Sequence, residues 1–377
     1  MRKRKIFFVI NSLGGGGAER VMVTLLNHSA GVRGDHGIQL VLLDREDVAY
    51  EPPSSIRVHQ LDCRHSALRS ILGLRELIRR ERPDIICSFL TRSNVASYFA
   101  SRGTGAALVM SERANTRSQL GGGIRGLISR SLVRVSYPKA DRLIAVSKGV
   151  AEDLSRYFRV PSERVTTIYN PLDVQAIRAA AGEDCGLAVH GPYILAAGRL
   201  QPVKNFDLLV RAFAKSRVPC KLVIAGEGPE RERLEALVEE LGLGGRVLLP
   251  GFVANPFPLV AGAHIFALSS NSEGFPNAIL EALALGVPVV ATNCSYGPAE
   301  ILAGRSAGEV RGLLETPAGF LSPVGDVDAF ARALAIAASA RDRLAVNAAE
   351  QVRQYSPEAT IGRYWSVLEG AAEGRTR

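Results

Sequence analysis

Two glutamates, Glu273 and Glu281, lie on either side of a Gly-Phe-Pro-Asn turn in the second half of the chain. An apolar run at residues 265–268 predicts a buried strand before the turn, and a helix is expected from about Pro276 to Gly286. Backbone N–H groups at the start of such a helix can meet a phosphate, and carboxylates accept hydrogen bonds from ribose or hexose hydroxyls. One acid here can also simply complement the helix dipole; two of them weaken that alternative without removing it.

Arg199 and Lys204 follow another predicted strand, residues 193–197, on a short loop that also contains glycine and proline. Ligands of parallel sheets bind where strands end, so both cations are placed at a potential binding edge. The fork of an arginine and the point charge of a lysine suit a diphosphate. Either cation taken alone is equally well explained as a solvated surface charge.

Four consecutive glycines at positions 14–17 join the first predicted strand, residues 5–10, to an amphipathic helix that begins near Ala18. Bare backbone N–H groups at the positive end of a helix dipole let an anion approach closely. The loop therefore predicts a phosphate site, with a flexible turn as the alternative. Its spacing matches neither the dinucleotide-binding pattern nor the P-loop.

Short apolar runs alternate with stretches of helical periodicity along the chain, which is typical of parallel sheets covered by helices. The strands are predicted at residues 5–10, 38–43, 56–61, 84–89, 107–111 and 142–146 in the first half, and at 193–197, 221–225, 246–249, 265–268 and 287–291 in the second. A chain of 377 residues has room for two such α/β domains. We expect domains at 1–175 and 190–355, with a C-terminal helix at 356–377 that docks back on the first.

The net charge of +9 is confined to one half of the chain. Residues 1–180 hold 28 Lys and Arg against 16 Asp and Glu, a balance of +12, and the remainder holds 18 against 21, or −3. A basic half can meet nucleic acid, an anionic membrane or a phosphorylated substrate. Five widely spaced cysteines without a Cys-x-x-Cys pair argue against zinc clusters and disulfides, so a cytoplasmic location is expected.

Four motifs occur in an order that resembles one large family. They are Gly-Gly-x-Glu-Arg from Gly16, Gly-Arg-x-x-x-x-Lys from Gly198, Gly-Glu-Gly-Pro from Gly226, and Glu-x7-Glu from Glu273. Over essentially its whole length the chain resembles the retaining GT-B glycosyltransferases of family 4. The resemblance implies an α/β GT-B fold: two Rossmann-like, doubly wound parallel-sheet domains that face a cleft.

The resemblance also implies the site residues. Arg199 and Lys204 would neutralise the donor diphosphate, Glu281 would hold the ribose hydroxyls, and Glu273 would contact the donor sugar. The implied donor-binding set is Gly15, Gly16, Gly17, Arg199, Lys204, Gly251, Phe252, Val253, Glu273, Gly274, Phe275, Pro276, Asn277 and Glu281, with residues 251–253 flanking the base. No metal and no other cofactor is implied, because fixed cations and helix-end N–H groups can stabilise the leaving diphosphate.

The acid/base residue is the point at which the chain departs from the family. Many relatives carry a histidine in the loop after the fifth strand, where this chain reads Ser111-Glu112-Arg113. Glu112 is a catalytic candidate that would contact sugar or acceptor, and a structural salt bridge with Arg113 is the alternative. Asn94, Glu112 and Arg113 are the predicted acceptor-binding residues.

The pieces around residues 111–113 and 274–277 look like the subgroup that builds bacterial oligosaccharides on lipid carriers. Two basic helices fit an anionic membrane: residues 68–82 with Arg69, Arg79 and Arg80, and a second helix carrying Ile124, Leu127, Ile128, Leu132 and Val135 with Arg125, Arg130, Arg134 and Lys139. A core-facing apolar stripe with a solvated basic back explains either helix as well. The location expected is cytoplasmic or peripheral on the inner face of the membrane.

The function predicted from the sequence is transfer of a hexose or N-acetylhexosamine from a nucleotide-diphosphate sugar to a lipid-linked or saccharide acceptor, and the nucleotide expected is UDP. A nucleotide-sugar epimerase or hydrolase of the same architecture is the enzymatic alternative. A basic membrane-binding or nucleic-acid-binding protein is a more distant one. Aromatic residues make up only 6% of the chain and are not interleaved with the basic clusters, which argues against nucleic acid as a partner.

Overall fold

The computed structural model describes three segments of the chain, residues 3–29, 36–113 and 123–375. The side chains of Ile124 and Arg125, which the sequence places on a basic helix, lie outside the described residues. The chain forms two compact units, Met1–Pro171 together with Pro357–Arg377, and Leu172–Ser356. It thus passes into the second unit and returns to the first for its C-terminal helix.

A seven-stranded sheet forms the middle of the first unit, and its strands pair in parallel throughout. The strands are β1 (Lys5–Ile10), β2 (Gly37–Leu42), β3 (Arg57–Gln60), β4 (Ile85–Phe89), β5 (Ala107–Glu112), β6 (Arg142–Ala145) and β7 (Val165–Thr167). Their order is β3-β2-β1-β4-β5-β6-β7. Ile6 of β1 is aligned with Ile38 on one side and with Ile85 on the other. The fully buried runs of β4 and β5 are typical of a parallel sheet covered on both faces.

Helices connect these strands. They are α1 (Gly17–His28), α2 (Ala67–Glu81), α3 (Thr91–Ser101), α4 (Gly123–Ser136) and α5 (Lys148–Phe158). The hydroxyl of Ser66 caps α2 and that of Ser147 caps α5, each accepting a hydrogen bond from a backbone N–H three residues on. α2 packs against α3, and α3 packs against α4.

A second seven-stranded sheet forms the middle of the second unit. Its strands are β8 (Tyr193–Ala197), β9 (Lys221–Ala225), β10 (Val247–Gly251), β11 (Ile265–Leu268), β12 (Val289–Thr292), β13 (Leu314–Thr316) and β14 (Gly319–Ser322), in the order β10-β9-β8-β11-β12-β14-β13. Only the edge strand β13 runs antiparallel to its neighbour among these strands. The first five strands follow the same order in both sheets, but in the second sheet β14 lies beside β12 and the antiparallel β13 occupies the edge.

The helices of the second unit begin with α6, which precedes its first strand. They are α6 (Val174–Ala181), α7 (Phe206–Ser216), α8 (Arg231–Glu240), α9 (Phe257–Gly262), α10 (Asn277–Ala284), α11 (Pro298–Ala303), α12 (Val327–Ser339) and α13 (Arg341–Gln351). Side chains of Asp173, Asn205 and Asp326 cap α6, α7 and α12. The apolar faces of α7, α8 and α12 pack into one core with β8, β9 and β11.

The C-terminal helix, α14 (Pro357–Glu373), belongs to the first unit. Its residues Ile361, Tyr364, Trp365 and Leu368 are buried in the same core as the first strands and α1. It packs against α1, β4 and β5. The spacing of these side chains along one helical face explains why the segment docks instead of extending into solvent.

Several predicted elements need correction. β7, β13 and β14 were not predicted, because none of these short strands contains more than two consecutive large apolar residues. Helix α6 was also missed. β12 begins at Val289 and not at 287, since Pro288 cannot donate a ladder hydrogen bond. Four strands, β1, β8, β9 and β11, have the predicted bounds.

Strand order reverses at the same place in both sheets. β1 lies between β2 and β4, and β8 lies between β9 and β11. Loops that leave adjacent strands in opposite directions open a crevice at the carboxyl ends, where ligands of doubly wound sheets bind. The glycine loop follows β1 and the Arg199 loop follows β8, so each unit carries one of the predicted segments at this point.

The close approach of β12 and β14 requires a glycine at position 319. Gly319 has φ +155, and a Cβ there would overlap the carbonyl group of Val289. We expect Gly319→Ala to destabilise the protein by about 2–4 kcal/mol, because backbone atoms cannot yield as a flexible side chain can. Denaturant unfolding measures this. Gly308→Ala, where the added methyl meets only open space, is the control and should lower stability far less.

Candidate functional site

Lys204 and Glu273 meet at the carboxyl edge of the second sheet. Lys204 closes the loop after β8, and Glu273 lies on the loop between β11 and α10. The ammonium Nζ of Lys204 lies 2.6 Å from Oε1 of Glu273, and both side chains are largely shielded from solvent. The hydroxyl of Ser270 donates to the same carboxylate oxygen at 2.6 Å. The structure thus joins two of the residues predicted to bind the donor.

Backbone hydrogen bonds fix the two loops to each other. The N–H of Asn271 donates to the carbonyl of Val203 at 2.8 Å. The hydroxyl of Ser269 donates to the carbonyl of Lys204 at 2.8 Å, and the side-chain amide of Asn205 donates to that of Asn271 at 2.9 Å. Because the contacts flank the ion pair on both loops, Lys204 is held by the scaffold and not only by its partner.

The Gly-Glu-Gly-Pro segment and the residue before it are joined to the Arg199 loop by backbone hydrogen bonds. The N–H of Gly198 donates to the carbonyl of Ala225, and the N–H of Leu200 donates to that of Glu227. Gly226 has φ +152, and a Cβ there would overlap the carbonyl of Gly198. Only glycine allows this approach. The motif therefore positions the cation-bearing loop.

Arg199 and Glu281, two further residues of the predicted donor site, occupy different environments. Arg199 is exposed at the end of β8, whereas Glu281 is buried on the second turn of α10. Before α10, Gly274, Phe275 and Pro276 are buried, and the Phe275 ring packs edge-on against Tyr355 at 5.6 Å. Asn277 is the first residue of α10. The turn is thus a fixed support for the helix N-terminus, as its sequence predicts.

The segment predicted to flank a base lies at the end of β10. Gly251 is the last, buried residue of this strand, and Val253 is half-buried. The ring of Phe252 is 76% exposed. Its role against a base stays a prediction.

Cys294 is the thiol nearest to this site. Burial, with the negative charge of Glu273, raises the pKa of Cys294 to about 12. A thiol with such a pKa stays protonated at neutral pH and is a poor nucleophile. Covalent catalysis by Cys294 is therefore unfavourable.

The glycine loop of the first unit leads directly into α1. Gly16 occupies the N-cap position in an extended conformation, and Gly17 is the first helical residue. Gly15 has φ +98. Beside the loop, the hydroxyl of Ser12 donates to the carboxylate of Glu46 at 2.5 Å. The structure places a helix N-terminus at this edge, and its binding of a phosphate stays a prediction.

Asn94 and Glu112 lie inside the first unit and are fully buried. Glu112 accepts hydrogen bonds from the hydroxyls of Tyr137 at 2.5 Å and Thr91 at 3.3 Å. Asn94 accepts from Ser88 at 2.8 Å and donates to the Tyr137 hydroxyl at 3.1 Å. Burial and the adjacent carboxylate of Glu112 hold the pKa of Tyr137 well above its ordinary value. These contacts favour a structural role over direct contact with an acceptor.

Arg113 is also buried, and its guanidinium is directed at neutral groups. It donates to the hydroxyl of Tyr364 at 2.6 Å and to the side-chain oxygen of Asn170, and it lies 5.1 Å from the centre of the Phe89 ring. Its backbone N–H donates to Glu112 at 3.1 Å. Arg113 therefore ties α14 to the strand ends, and its predicted contact with an acceptor is untested.

A polar cluster that the sequence analysis missed lies at the same edge of the first sheet. Nδ1 of His65 is 3.2 Å from the buried carboxylate of Asp44, and its Nε2 is 3.8 Å from Glu46. The guanidinium of Arg92 binds Asp44 and also donates to the side chain of Asn11 at 3.3 Å. An exposed imidazole held by a buried carboxylate is the arrangement that orients a general base. Asn11, Asp44 and Arg92 each lie shortly after the end of a strand, and this position is the sequence feature that could have indicated the cluster.

The charge on Asp44 is balanced by protein groups. Burial would raise the pKa of Asp44, but the hydrogen bonds from Arg92 and from the His65 backbone outweigh it and lower that pKa. Within the described segments, ligand atoms of Asp44, Glu46 and His65 lie within 4.8 Å of one another, close enough for a metal ion. A cation there would compete with Arg92 for Asp44.

Two helices of the first unit expose apolar side chains. Leu127 and Ile128 of α4 are 60% and 56% exposed, and Leu68 and Leu72 of α2 are 65% and 58% exposed. These four residues do not face the core. α2 nevertheless buries Leu74, Leu77 and Ile78, so the alternative of a core-facing stripe holds for that face of α2. None of the helices in the described segments is long and apolar enough to span a bilayer.

Two sequence profiles match the chain in succession. A profile described as glycosyltransferase family 4 matches residues 15–176, and one described as glycosyl transferases group 1 matches residues 183–357. Each covers most of one structural unit.

Relatives and solved structures extend over most of the chain. It is 35% identical over 313 residues to a Campylobacter jejuni N-acetylgalactosamine-N,N'-diacetylbacillosaminyl-diphospho-undecaprenol 4-alpha-N-acetylgalactosaminyltransferase, covering 80% of this chain and 83% of the relative. It is 29% identical over 364 residues to a Rhizobium meliloti lipopolysaccharide core biosynthesis glycosyltransferase, covering 94% and 96%. The fold matches that of Anabaena HepE in complex with UDP with a TM-score of 0.76, at 19% identity over 97% of this chain and 100% of that one. With these matches and with two α/β units built on largely parallel sheets, this chain belongs to the family 4 glycosyltransferases of GT-B fold.

Proposed function

We propose that the protein is a retaining, metal-independent glycosyltransferase that moves a hexose or N-acetylhexosamine from a UDP-sugar to a lipid-linked or saccharide acceptor in cell-surface glycan synthesis. The observation that carries the proposal is the ion pair between Lys204 and Glu273, 2.6 Å long, at the carboxyl edge of the second sheet. A fixed ammonium there, paired with a carboxylate that lies four residues before the start of α10, suits the diphosphate of a nucleotide sugar.

Charge development on the leaving group explains how these residues would act. When the sugar leaves, negative charge builds on the terminal phosphate of the nucleotide. Lys204 and the exposed Arg199 share one loop, and the positive end of the α10 dipole follows Glu273. Positioned cations and helix N–H groups lower the energy of such charge without reorganising. They supply what a divalent cation supplies in metal-assisted phosphate chemistry, so we propose that none is needed.

Retention requires attack on the face from which the diphosphate leaves. The bond from the anomeric carbon to the phosphate oxygen breaks, the bond to the acceptor oxygen forms, and the acceptor proton passes to the leaving phosphate. No protein nucleophile takes part in this scheme. The engagement of Glu273 by Lys204 and Ser270, together with the protonated thiol of Cys294, supports it.

The compared proteins support the choice of donor and acceptor. Anabaena HepE has been crystallised with UDP and with UDP-glucose. Two Campylobacter jejuni relatives are N-acetylgalactosaminyltransferases that act on diphospho-undecaprenol-linked saccharides. A nucleoside diphosphate and a lipid-linked acceptor are therefore the substrates that we propose.

A lipid-linked acceptor places the enzyme at a membrane surface, and α4 offers a surface for it. The exposed side chains of Leu127 and Ile128 lie on a helix that also exposes Arg134, and exposed Lys139 follows it. Apolar side chains surrounded by cations bind anionic interfaces in two ways: the apolar groups insert among the lipids, and the cations are attracted to the lipid headgroups. We therefore propose peripheral contact with the inner leaflet through α4.

The function is tested by an assay with UDP-hexoses and UDP-N-acetylhexosamines, with and without a polyprenyl-diphosphate-linked saccharide. We expect UDP release to depend on the acceptor, the product to keep the donor's anomeric configuration in its NMR spectrum, and excess EDTA to leave the rate unchanged. Equal release without acceptor would instead indicate a hydrolase or epimerase. An inverted product, or loss of activity in EDTA, would contradict the mechanism.

Two variants separate the roles of the site residues. We expect Lys204→Ala to lower kcat by about 100- to 1,000-fold, because the cation acts on charge that develops in the transition state. Glu281→Ala should mainly raise the donor KM, since ribose hydroxyls are held equally before and during reaction. Lys204→Arg should restore part of kcat. Lys215→Ala, an exposed lysine paired with Asp328 in the same unit, is the control; wild-type rates in Lys204→Ala would refute the assignment.

Membrane contact through α4 is tested with vesicles. The double variant Leu127→Ser/Ile128→Ser should bind phosphatidylglycerol vesicles at least about tenfold more weakly, because two exposed apolar side chains lose their insertion energy. Co-sedimentation measures this. Val324→Ser/Val346→Ser, which alters two exposed valines of the second unit, is the matched control. Unchanged binding in the α4 variant would remove α4 from the membrane surface.

A further inference from the structure

A cavity of about 800 Å³ in the first unit is lined mainly by positive charge. It lies between α2, the turn after α3 and the end of α14. Six arginines contribute to its wall: Arg4, Arg75, Arg79, Arg82, Arg102 and Arg375. Asp84 is the single acidic residue among those that line it. Six like charges around one volume repel one another unless an anion lies between them.

The cavity lies at the edge of the first sheet opposite to the glycine loop and Asp44. Arg4 directly precedes β1, Asp84 directly precedes β4, and Ala106 directly precedes β5. These three strands are parallel, so residues that precede them share the amino edge. The glycine loop and Asp44 follow strands and lie at the carboxyl edge. A strand of five or six residues separates the two edges by about 17–20 Å.

Few of these charges are neutralised within the protein. Arg375 donates to Asp141 at 2.9 Å and to the carbonyl of Ala106. Asp84 accepts the backbone N–H of Lys5 at 2.7 Å. Arg79 and Arg102, both exposed, form no ion pair with any residue that the structure describes. The cavity therefore keeps an excess of positive charge and free guanidinium donors.

We propose that this cavity binds a phosphate-bearing anion. Guanidinium groups match the geometry of phosphate oxygens by paired N–H donors, and several of them around one volume suit a diphosphate or a cluster of phosphates better than a single carboxylate. The site is distinct from the donor site and does not rest on the function proposed above. It holds its ligand without taking part in the transfer step.

The anion has two possible sources with the same chemistry: a free phosphate compound, or the headgroup of an anionic lipid. Leu68, Leu72, Arg75 and Arg79 follow one another at spacings of four, three and four, so they lie on one face of α2. The exposed leucines thus continue the face that carries two of the cavity arginines. An apolar stretch beside phosphate-binding arginines is what a lipid headgroup site would show.

The test compares Arg79→Ala/Arg102→Ala with Arg156→Ala/Arg311→Ala, which removes the same charge from exposed positions outside the cavity. Calorimetric titration with inorganic pyrophosphate counts the sites on each full-length protein. Co-sedimentation with phosphatidylcholine vesicles, with and without 30% phosphatidylglycerol, measures headgroup binding. Arg79→Lys/Arg102→Lys keeps the positive charge but removes the paired N–H donors of the guanidinium groups.

We expect Arg79→Ala/Arg102→Ala to lose one pyrophosphate site per chain, or to bind the anionic vesicles at least about tenfold more weakly. The control variant should show neither change. Loss of the pyrophosphate site with unchanged vesicle binding identifies a soluble anion, and loss of vesicle binding identifies a lipid headgroup. The variant Arg79→Lys/Arg102→Lys should retain part of the pyrophosphate binding or of the vesicle binding, because it keeps the positive charge. Because both arginines are exposed, the variants should keep the wild-type melting temperature in low phosphate. If the cavity variant matches the control in both assays, the cavity is not an anion site.

Discussion

Lys204 and Glu273 are separated by 69 residues, and their 2.6 Å contact is the interaction on which the proposed donor site depends. It exists because β8 and β11 are neighbours in a parallel sheet, which brings the loops at their carboxyl ends together. The hydrogen bond from the N–H of Asn271 to the carbonyl of Val203 then holds the loops at fixed separation. In the proposed mechanism, a lysine so placed stabilises the charge that develops on the leaving phosphate without further rearrangement.

The two units differ in net charge. The second unit carries a compact set of site residues on a nearly neutral scaffold, and the first unit carries the basic excess. That excess is organised in two places: around the exposed apolar residues of α4, and around the arginine cavity at the amino edge of the first sheet. Both suit phosphate-rich surroundings, in agreement with the proposed function in lipid-linked glycan synthesis.

Sequence patterns predicted the bounds of several strands but not the side-chain clusters at their ends. The bounds of β1, β8, β9 and β11 were predictable, because each is a buried apolar run closed by turn residues. The buried network of Asn94, Glu112 and Tyr137 was not, since position at a strand end looks the same whether a side chain faces solvent or the interior. The cluster of His65, Asp44 and Arg92 joins residues 21 and 48 positions apart, and no local spacing signals such a contact.

The sequence by itself determined the family, the α/β alternation and the identity of the cations and carboxylates at strand ends, because these depend on local periodicity and on motifs with fixed spacing. Tertiary structure alone decided which of these side chains meet. It paired Lys204 with Glu273, buried Glu112 against Tyr137, and gathered six arginines from four chain segments around one cavity. The physical reason is that strand order is set by packing between distant segments, so proximity at a sheet edge cannot be deduced from position along the chain.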